Sequence, residues 1–302
     1  MLAAPVPVDG FTYGLLTPVT AFVMAAVGSA LGLRCTMRAL TVEPARRAGW
    51  LLLGAVAIGT GIFTMHFIAM MGFTADSVHI GYDVPITLAS LGVAVLVVGV
   101  GVFIVGYLGR TAFALTTGGV ITGLGVAAMH YLGMAGMKMD RGRLEYDGMV
   151  VALSVLIAVV AATAALWLAM TVKRFGVAVG AALIMGVAVS GMHYTGMAAL
   201  EVQAQAVNGA AEGKSPAEIL APILIGPVLL LVFVGLFVGM DPLENEWRVS
   251  VEDEDAAFGG EAAFGGDAAV GGGTVFGGSA AAPEPAGSGA ATYFERGGRH
   301  GG

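Results

Sequence analysis

Long apolar segments, separated by short clusters of charged residues, make up the first 240 residues of the chain. Seven of these segments contain no Asp, Glu, Lys or Arg, and each exceeds the ~20 apolar residues that cross a ~30 Å hydrocarbon core. They cover approximately residues 10–33, 49–73, 84–108, 112–137, 148–172, 176–200 and 219–240. This pattern predicts an all-α, polytopic membrane domain of seven transmembrane helices over residues 1–240.

The composition agrees with a chain embedded in lipid and identifies a different C-terminal region. Of the 302 residues, 57% are hydrophobic and 12% are charged, whereas soluble domains average about 25% charged. The net charge of −7 comes mainly from residues 241–302, where a six-residue Ala- and Gly-rich acidic sequence repeats. Such sequence buries too little apolar surface to offset its chain entropy, so we predict a disordered cytoplasmic tail. An acidic excess confined to a tail does not indicate a nucleic-acid partner.

The distribution of positive charge between the loops predicts how the chain is oriented in the membrane. The loops after the first, third and fifth segments carry seven Lys and Arg residues, whereas the opposite loops carry four and most of the loop acids. The seven are Arg34, Arg38, Arg46, Arg47, Arg110, Lys173 and Arg174. Because positively charged loops stay in the cytoplasm, the N-terminus is predicted outside the plasma membrane and the C-terminus inside.

A hexapeptide built around histidine occurs three times in the membrane region. The copies are Met65-His66-Phe67-Ile68-Ala69-Met70, Met129-His130-Tyr131-Leu132-Gly133-Met134 and Met192-His193-Tyr194-Thr195-Gly196-Met197. The histidines are 64 and 63 residues apart, which indicates a tandem repeat. A unit of this length contains two spans, so successive units cross the membrane in the same direction. We therefore predict three parallel two-helix repeats plus one helix, unlike the inverted repeats of many transporters.

The three histidines are predicted to lie at one depth in the membrane. Each falls about 17 residues into its segment from the cytoplasmic side, which at ~1.5 Å per residue is ~26 Å into a ~30 Å core. They therefore meet near the outer face. The second methionine of each copy follows four residues after the histidine and shares its helix face. The aromatic residues after the histidines, Phe67, Tyr131 and Tyr194, are expected in the aromatic belt at the outer interface.

Imidazole and thioether groups together indicate a metal site. Imidazole suits copper, zinc and iron, whereas thioether favours copper and in particular Cu(I). The motifs contain no carboxylates, which argues against calcium, magnesium and di-iron centres. Copper is the first candidate and a haem ligated by His and Met the second, while packing of the outer helix ends is the structural alternative. The candidate ligands are His66, His130, His193, Met70, Met134, Met197, Met65, Met129 and Met192.

At these residues the chain resembles the MHYT domain family of bacterial integral membrane sensors. The name-giving tetrapeptide is intact at Met192-His193-Tyr194-Thr195, and the resemblance covers residues 10–240. It implies a seven-helix domain proposed to bind copper through the motif Met and His residues and to detect oxygen, carbon monoxide or nitric oxide. The first copy has Phe67-Ile68 in place of Tyr-Thr, so no tyrosine hydroxyl acts there.

Three functions are compatible with these residues. The leading hypothesis is a metal-dependent sensor of a diatomic gas or of redox state. Many members of the family carry a cytoplasmic output module, whereas residues 241–302 predict only a tail, so a sensor here would signal through a separate cytoplasmic protein. The alternatives are a copper carrier or metallochaperone serving a respiratory oxidase subunit, and a haem-binding membrane protein. No enzyme is predicted, because the sequence contains no Ser/His/Asp order, phosphate loop, CxxC pair or intramembrane acid.

Overall fold

Seven long helices form the membrane part of the protein. The computed structural model describes residues 4–5, 7–76, 78–140, 143–172, 175–204 and 215–240. Within these ranges the helices are α1 (Leu16–Thr41), α2 (Pro44–Met71), α3 (Val84–Leu108), α4 (Ala112–Ala135), α5 (Gly148–Thr171), α6 (Phe175–Ala198) and α7 (Pro216–Gly239). All seven are long and apolar enough to cross a membrane. The predicted all-α polytopic fold is confirmed; the predicted tail at residues 241–302 lies outside the described residues.

The first six helices form a closed ring. Each helix packs against the next, and α6 packs against α1. The pairs α1–α2, α3–α4 and α5–α6 repeat one arrangement, so α2, α4 and α6 run in the same direction. Helix α7 lies outside the ring, against α2 and α1. This is the predicted architecture of three parallel two-helix repeats plus one helix.

Helix α1 is longer than its apolar segment indicates. It continues past the predicted end at residue 33 to Thr41, so Arg34 and Arg38 lie in a helix and not in a loop. Arg46 and Arg47 also lie in a helix, because α2 begins at Pro44. Helix α1 continues because its inner face still packs in the bundle, where Cys35 is fully buried. The long stem of an arginine can carry its charge from the helix to the membrane surface. The Arg38 guanidinium lies 5.9 Å from the centre of the Trp50 ring, within the range of a cation–π attraction.

Glycines allow neighbouring helices of the ring to approach closely. A Cβ atom added to Gly28 of α1 would lie 2.6 Å from the Cα of Gly61 in α2, closer than real side chains permit. Gly59 and Gly123 occupy one position in successive repeats, and a Cβ there would likewise meet the backbone of α3 and α5. Lipid gives helices no hydrophobic reason to associate, so close backbone packing supplies much of the attraction.

Short strands join the connecting segments at the helix ends that follow the motifs. They are β1 (Ala4–Pro5), β2 (Val8–Asp9), β3 (Thr74–Ala75), β4 (Ile80–Tyr82), β5 (Met137–Met139), β6 (Arg143–Tyr146) and β7 (Leu200–Ala204). We call these seven strands the strand cap. The pairs are antiparallel, with β2 on β3, β4 on β5, and β7 between β1 and β6. Nothing in the apolar pattern predicts this cap.

The strand cap connects the three repeats in a circle. Pairing of β4 with β5 joins the first repeat to the second, and pairing of β6 with β7 joins the second to the third. The N-terminal strands close the circle, because β1 pairs with β7 of the third repeat and β2 with β3 of the first. Lys138 Nζ lies 2.6 Å from Asp83 Oδ2. This hydrogen bond, followed by one from the Ile86 N–H, holds the pKa of Asp83 below its ordinary value.

Replacing Gly28 by alanine is expected to destabilise the ring, whereas the same change at Gly92 is not. The methyl group at Gly28 would overlap α2, and overpacking of this kind costs about 1–3 kcal/mol. At Gly92 of α3 an added Cβ meets nothing within 4 Å, so only the gain in helix propensity, about 1 kcal/mol at most, applies. The midpoint of thermal unfolding in detergent measures the difference. Equal midpoints for Gly28→Ala and Gly92→Ala would contradict the close approach of α1 and α2.

Candidate metal centre

The three motif histidines lie at equivalent places on three helices. His66, His130 and His193 are each five residues before the last residue of α2, α4 and α6. Because these helices run in the same direction around the ring, the histidines come to one level near the strand cap. Each side chain is 1% exposed. The structure thus brings together residues that are 63 and 64 positions apart in the chain.

The imidazole rings meet through their Nδ1 atoms. The Nδ1 of His66 lies 3.0 Å from that of His193 and 3.1 Å from that of His130, and the third side of this triangle is 3.3 Å. The ring planes stand at 78–86° to one another. Three nitrogens of one kind therefore converge on a single point in a buried layer of the bundle.

Hydrogen bonding alone cannot satisfy this triangle. A neutral imidazole nitrogen is either an N–H donor or a lone-pair acceptor. Among three nitrogens in mutual contact, two must be of the same kind, and these face each other without a hydrogen bond. The Nε2 atoms of His66 and His130 are also buried, with no hydrogen-bond partner among the described residues. An unpaired buried polar atom costs about 1–3 kcal/mol, so packing alone leaves the unmatched Nδ1 contact as an unfavourable contribution.

A single cation would satisfy all three Nδ1 lone pairs. The point equidistant from the three nitrogens lies about 1.8 Å from each, close to the ~2.0–2.1 Å of a metal–imidazole bond. Among the described residues, these histidines are the one group of three or more His, Cys, Asp or Glu side chains with the spacing to hold a metal ion. The donor set and its spacing therefore fit a metal ion.

An apolar layer closes the triad on the side that faces the middle of the bundle. Ile62, Val126 and Val189 each lie four residues before a motif histidine, one helical turn away on the same face. Ile62 and Val126 are buried in one apolar cluster, and Val189 packs against it. We call these three residues the plug. Sequence reasoning missed them, although their shared position in the repeat was available as a signal.

The motif methionines divide between the two sides of the triad. The second methionine of each copy belongs to, or packs against, one apolar cluster that includes strand-cap residues. These are Met70, Met134 and Met197. Of the leading methionines, Met129 and Met192 lie in the same cluster as Ile62 and Val126 of the plug, whereas Met65 lies in a cluster with residues of α1 and α2, against which Val189 of the plug also packs. Thioethers from all three copies therefore collect on the cap side of the histidines.

A small residue three positions after the histidine makes room for a neighbouring imidazole. A Cβ atom added to Gly133 would lie 2.5 Å from Nε2 of His66. In the next repeat, a Cβ atom added to Gly196 would lie 2.5 Å from Nε2 of His130. Each ring thus packs on the backbone of the following repeat. The recurring Gly or Ala of the motif indicates a close contact at this position. Which imidazole packs there depends on the order in which the helices are arranged, and the sequence does not give that order.

The aromatic residues of the motif have three different environments. Phe67 is fully buried and packs against Phe63 with ring centres 4.7 Å apart, so its predicted place in an interfacial belt is wrong. It is buried because α7 and the strand cap cover this face of α2. Tyr131 is half-buried, and its hydroxyl lies 2.6 Å from the Ser154 hydroxyl of α5. The Tyr194 hydroxyl is buried and has no partner within the described part of the chain.

Comparison with protein families finds three tandem matches, each of which begins in a motif-bearing helix and includes the helix after it. Residues 59–118, 123–182 and 186–248 match the MHYT family, which is described as a bacterial signalling protein N-terminal repeat. Each match begins at the glycine that precedes a motif copy, namely Gly59, Gly123 and Gly186. No solved structure matches the chain.

The relatives that match are signalling proteins much longer than the matched region. The bifunctional diguanylate cyclase/cyclic di-GMP phosphodiesterase MucR of Pseudomonas aeruginosa is 35% identical over 245 residues, which cover 80% of this chain and 36% of that protein. The cyclic di-GMP phosphodiesterase NbdA of the same organism is 34% identical over 209 residues, 64% of this chain and 26% of that protein. A signaling protein of Caulobacter vibrioides is 40% identical over 159 residues, 52% and 19% respectively. The chain spans about a third or less of these relatives. With three copies of the repeat on three parallel helices, the chain belongs to the MHYT family of bacterial signalling proteins.

Proposed function

We propose that the protein is a membrane sensor whose three motif histidines hold a metal ion, with copper as the first choice. The observation that carries this proposal is the triangle of Nδ1 atoms, 3.0–3.3 Å apart in a buried layer. His66, His130 and His193 are the proposed ligands. The thioethers on the cap side, from Met70, Met134 and Met197, would complete or adjoin the site.

The choice of copper follows from the donor atoms. Three imidazoles accept zinc, iron or copper, and a cluster of thioethers beside them favours copper, especially Cu(I). The leading methionines Met65, Met129 and Met192 are assigned a packing role around the plug and α1, because they do not share one cluster. Copper, when bound, would supply a coordination position for a diatomic gas and a one-electron redox change.

A haem does not suit this geometry. Its two axial ligands stand on opposite faces of the macrocycle, so their nitrogens are separated by two metal–nitrogen bonds, ~4 Å. The histidine nitrogens here are 3.0–3.3 Å apart, with no gap in which a macrocycle could lie. The third imidazole would also have no role at a haem iron.

Sensing is favoured over copper transport by the plug and by the relatives. Ile62, Val126 and Val189 form an apolar layer one helical turn below the histidines, which does not favour the passage of a metal ion through the ring. The names of the relatives describe signalling, which does not favour a carrier or a metallochaperone. We assign no catalytic reaction to the described residues, since the enzyme activities named for the relatives belong to proteins of which this chain matches 36% and 26%.

Helix α7 offers a path from the histidines to a cytoplasmic partner. It packs against α2, the helix that carries His66. Leu220 and Leu224 of α7 are buried in the same cluster as Phe67 and Met70. A ligand changes helix packing only if it binds one arrangement better than the other, so the gas must alter how the histidines are held. We place the strand cap at the outer face of the bacterial plasma membrane and the far end of α7 in the cytoplasm, on the loop charges.

Replacing the three histidines together is expected to abolish copper binding. The protein is expressed with copper supplied, purified in detergent, and its copper-to-protein ratio is measured by elemental analysis. Wild type and a His79→Ala control, which alters a histidine just before β4 and outside the triad, are expected to hold about one copper per chain. The His66/His130/His193→Ala variant should hold none. Equal copper in all three proteins would sink the proposal.

Replacing Gly196 by alanine is expected to weaken copper binding, although no proposed metal ligand is replaced. The new methyl group would push against the His130 ring, because a Cβ there lies 2.5 Å from Nε2. Changes to groups that hold a metal ligand in place typically reduce affinity about 10–100-fold. Gly191→Ala on the same helix is the matched control, since its Cβ meets nothing within 4 Å. Competition with a Cu(I) chelator measures both affinities, and the account fails if the two variants bind copper equally well.

A further inference from the structure

The three repeats are not equivalent where the ring closes. Beside the third motif copy lies a cavity of about 250 Å³, whose walls include His193 and Ala69. Ala69 occupies in the first repeat the position that Gly133 and Gly196 occupy in the second and third. His66 and His130 each pack on the glycine at this position in the following repeat. At the seam between α6 and α2 a cavity takes the place of that tight contact.

The methionine and the tyrosine of the third copy are held less closely than their counterparts in the other copies. Met70 and Met134 are fully buried, whereas Met197 is partly exposed and lines the cavity. Tyr194 also lines the cavity, and its hydroxyl has no partner among the described residues. The corresponding Tyr131 hydroxyl is held by Ser154. Met197 of the third motif is therefore accessible to a ligand, while Met70 and Met134 are packed in the interior.

The N-terminal segment forms the remaining wall of this cavity. Val8 and Phe11 line it, and the Phe11 ring is stacked on Tyr194 with centres 5.8 Å apart and planes at 17°. The segment is held against the end of α2 by the pairing of β2 with β3 and by a hydrogen bond from the Thr12 N–H to the Gly72 carbonyl, 3.2 Å. It occupies the place in the strand cap where a connection between the third and first repeats would otherwise lie.

We infer that this cavity is a binding chamber for a small, uncharged, apolar molecule, whose occupant contacts His193, Tyr194 and Met197. The described residues that line it include no Asp, Glu, Lys or Arg. Closed apolar cavities of ~150 Å³ already bind benzene or xenon. This cavity is larger, at about 250 Å³, and it is open on the side where Val8 and Phe11 are exposed.

The chamber lies beside His193 and not beside the other two histidines of the triad. This inference rests on the proposed function, because it names the place where a ligand of the metal-dependent sensor is held. His66 and His130 pack on the backbone at Gly133 and Gly196, where an added Cβ atom would lie 2.5 Å from their Nε2 atoms. His193 instead lines the cavity. A molecule in the chamber therefore lies against the imidazole of His193 and not against those of His66 and His130.

Xenon is the probe for the chamber, because it binds apolar cavities without needing a metal. The full chain is labelled with methyl-¹³C methionine, purified in detergent without added copper, and its methionine signals are recorded under rising xenon pressure. We expect the Met197 signal, assigned with Met197→Leu, to shift with saturation. Met149, which is 80% exposed, reports xenon dissolved in the detergent, and the fully buried Met129 reports the fold.

Two variants that fill the chamber test its position. Ala198→Leu and Gly10→Leu each add volume at a lining residue, and an added Cβ at Gly10 meets nothing within 4 Å. Both should reduce the saturable Met197 shift at least tenfold, while Ala152→Leu, at an exposed residue of α5, leaves it unchanged. A Met197 signal that only follows Met149 in wild type, or a shift that persists in both filling variants, overturns the chamber. Copper content measured on a copper-loaded portion decides the proposed function separately, because the xenon experiment contains no metal.

Discussion

Three imidazole nitrogens that meet in a dry layer of a membrane protein impose conditions on everything around them. Each Nδ1 lies 3.0–3.3 Å from the other two, and no assignment of protons pairs all three. In lipid surroundings such groups find no water to replace the missing bonds. The helices must therefore hold the rings in place against their own repulsion, or a bound cation must remove it. The glycines on which His66 and His130 pack can hold the imidazole rings in place. The methionine thioethers on the cap side can help to bind a cation.

The tandem repeat is the means by which these conditions are met three times. A unit of about 63 residues contains two membrane crossings, so the motif-bearing helices of the three units run in the same direction. Each unit therefore brings its copy of the site residues to the same level in the membrane. One residue type at each position then serves three interfaces: an apolar residue for the plug, a histidine, a small residue for the neighbouring ring, and a methionine on the cap side. The N-terminal segment breaks this symmetry, because it fills the seam between the last repeat and the first. In a ring built only from identical repeats, His193 would pack on the next repeat as His66 and His130 do, and no cavity would lie beside it.

Much of the fold follows from the sequence because a bilayer leaves few alternatives. Seven uncharged segments predict seven helices, since only helices and closed barrels satisfy backbone groups in lipid. The common depth of the histidines follows from counting residues along parallel helices. The strand cap does not follow, because its strands are two to five residues long and pair across remote parts of the chain. The burial of Phe67 and the contact between Gly133 and His66 also depend on which helices are neighbours, and periodicity within one helix carries no such information. The chamber beside His193 depends on both the cap and the ring.

The most direct test of the account is X-ray absorption at the copper edge of the copper-loaded full chain in detergent. If the triad holds the metal, the spectrum should contain about three imidazole nitrogens at ~2.0–2.1 Å, recognised by the multiple scattering of their rings. Sulfur from the cap-side methionines would add a further, longer shell. A spectrum with sulfur or oxygen scatterers and no imidazole would contradict the central claim, because the convergence of His66, His130 and His193 would then serve something other than metal binding.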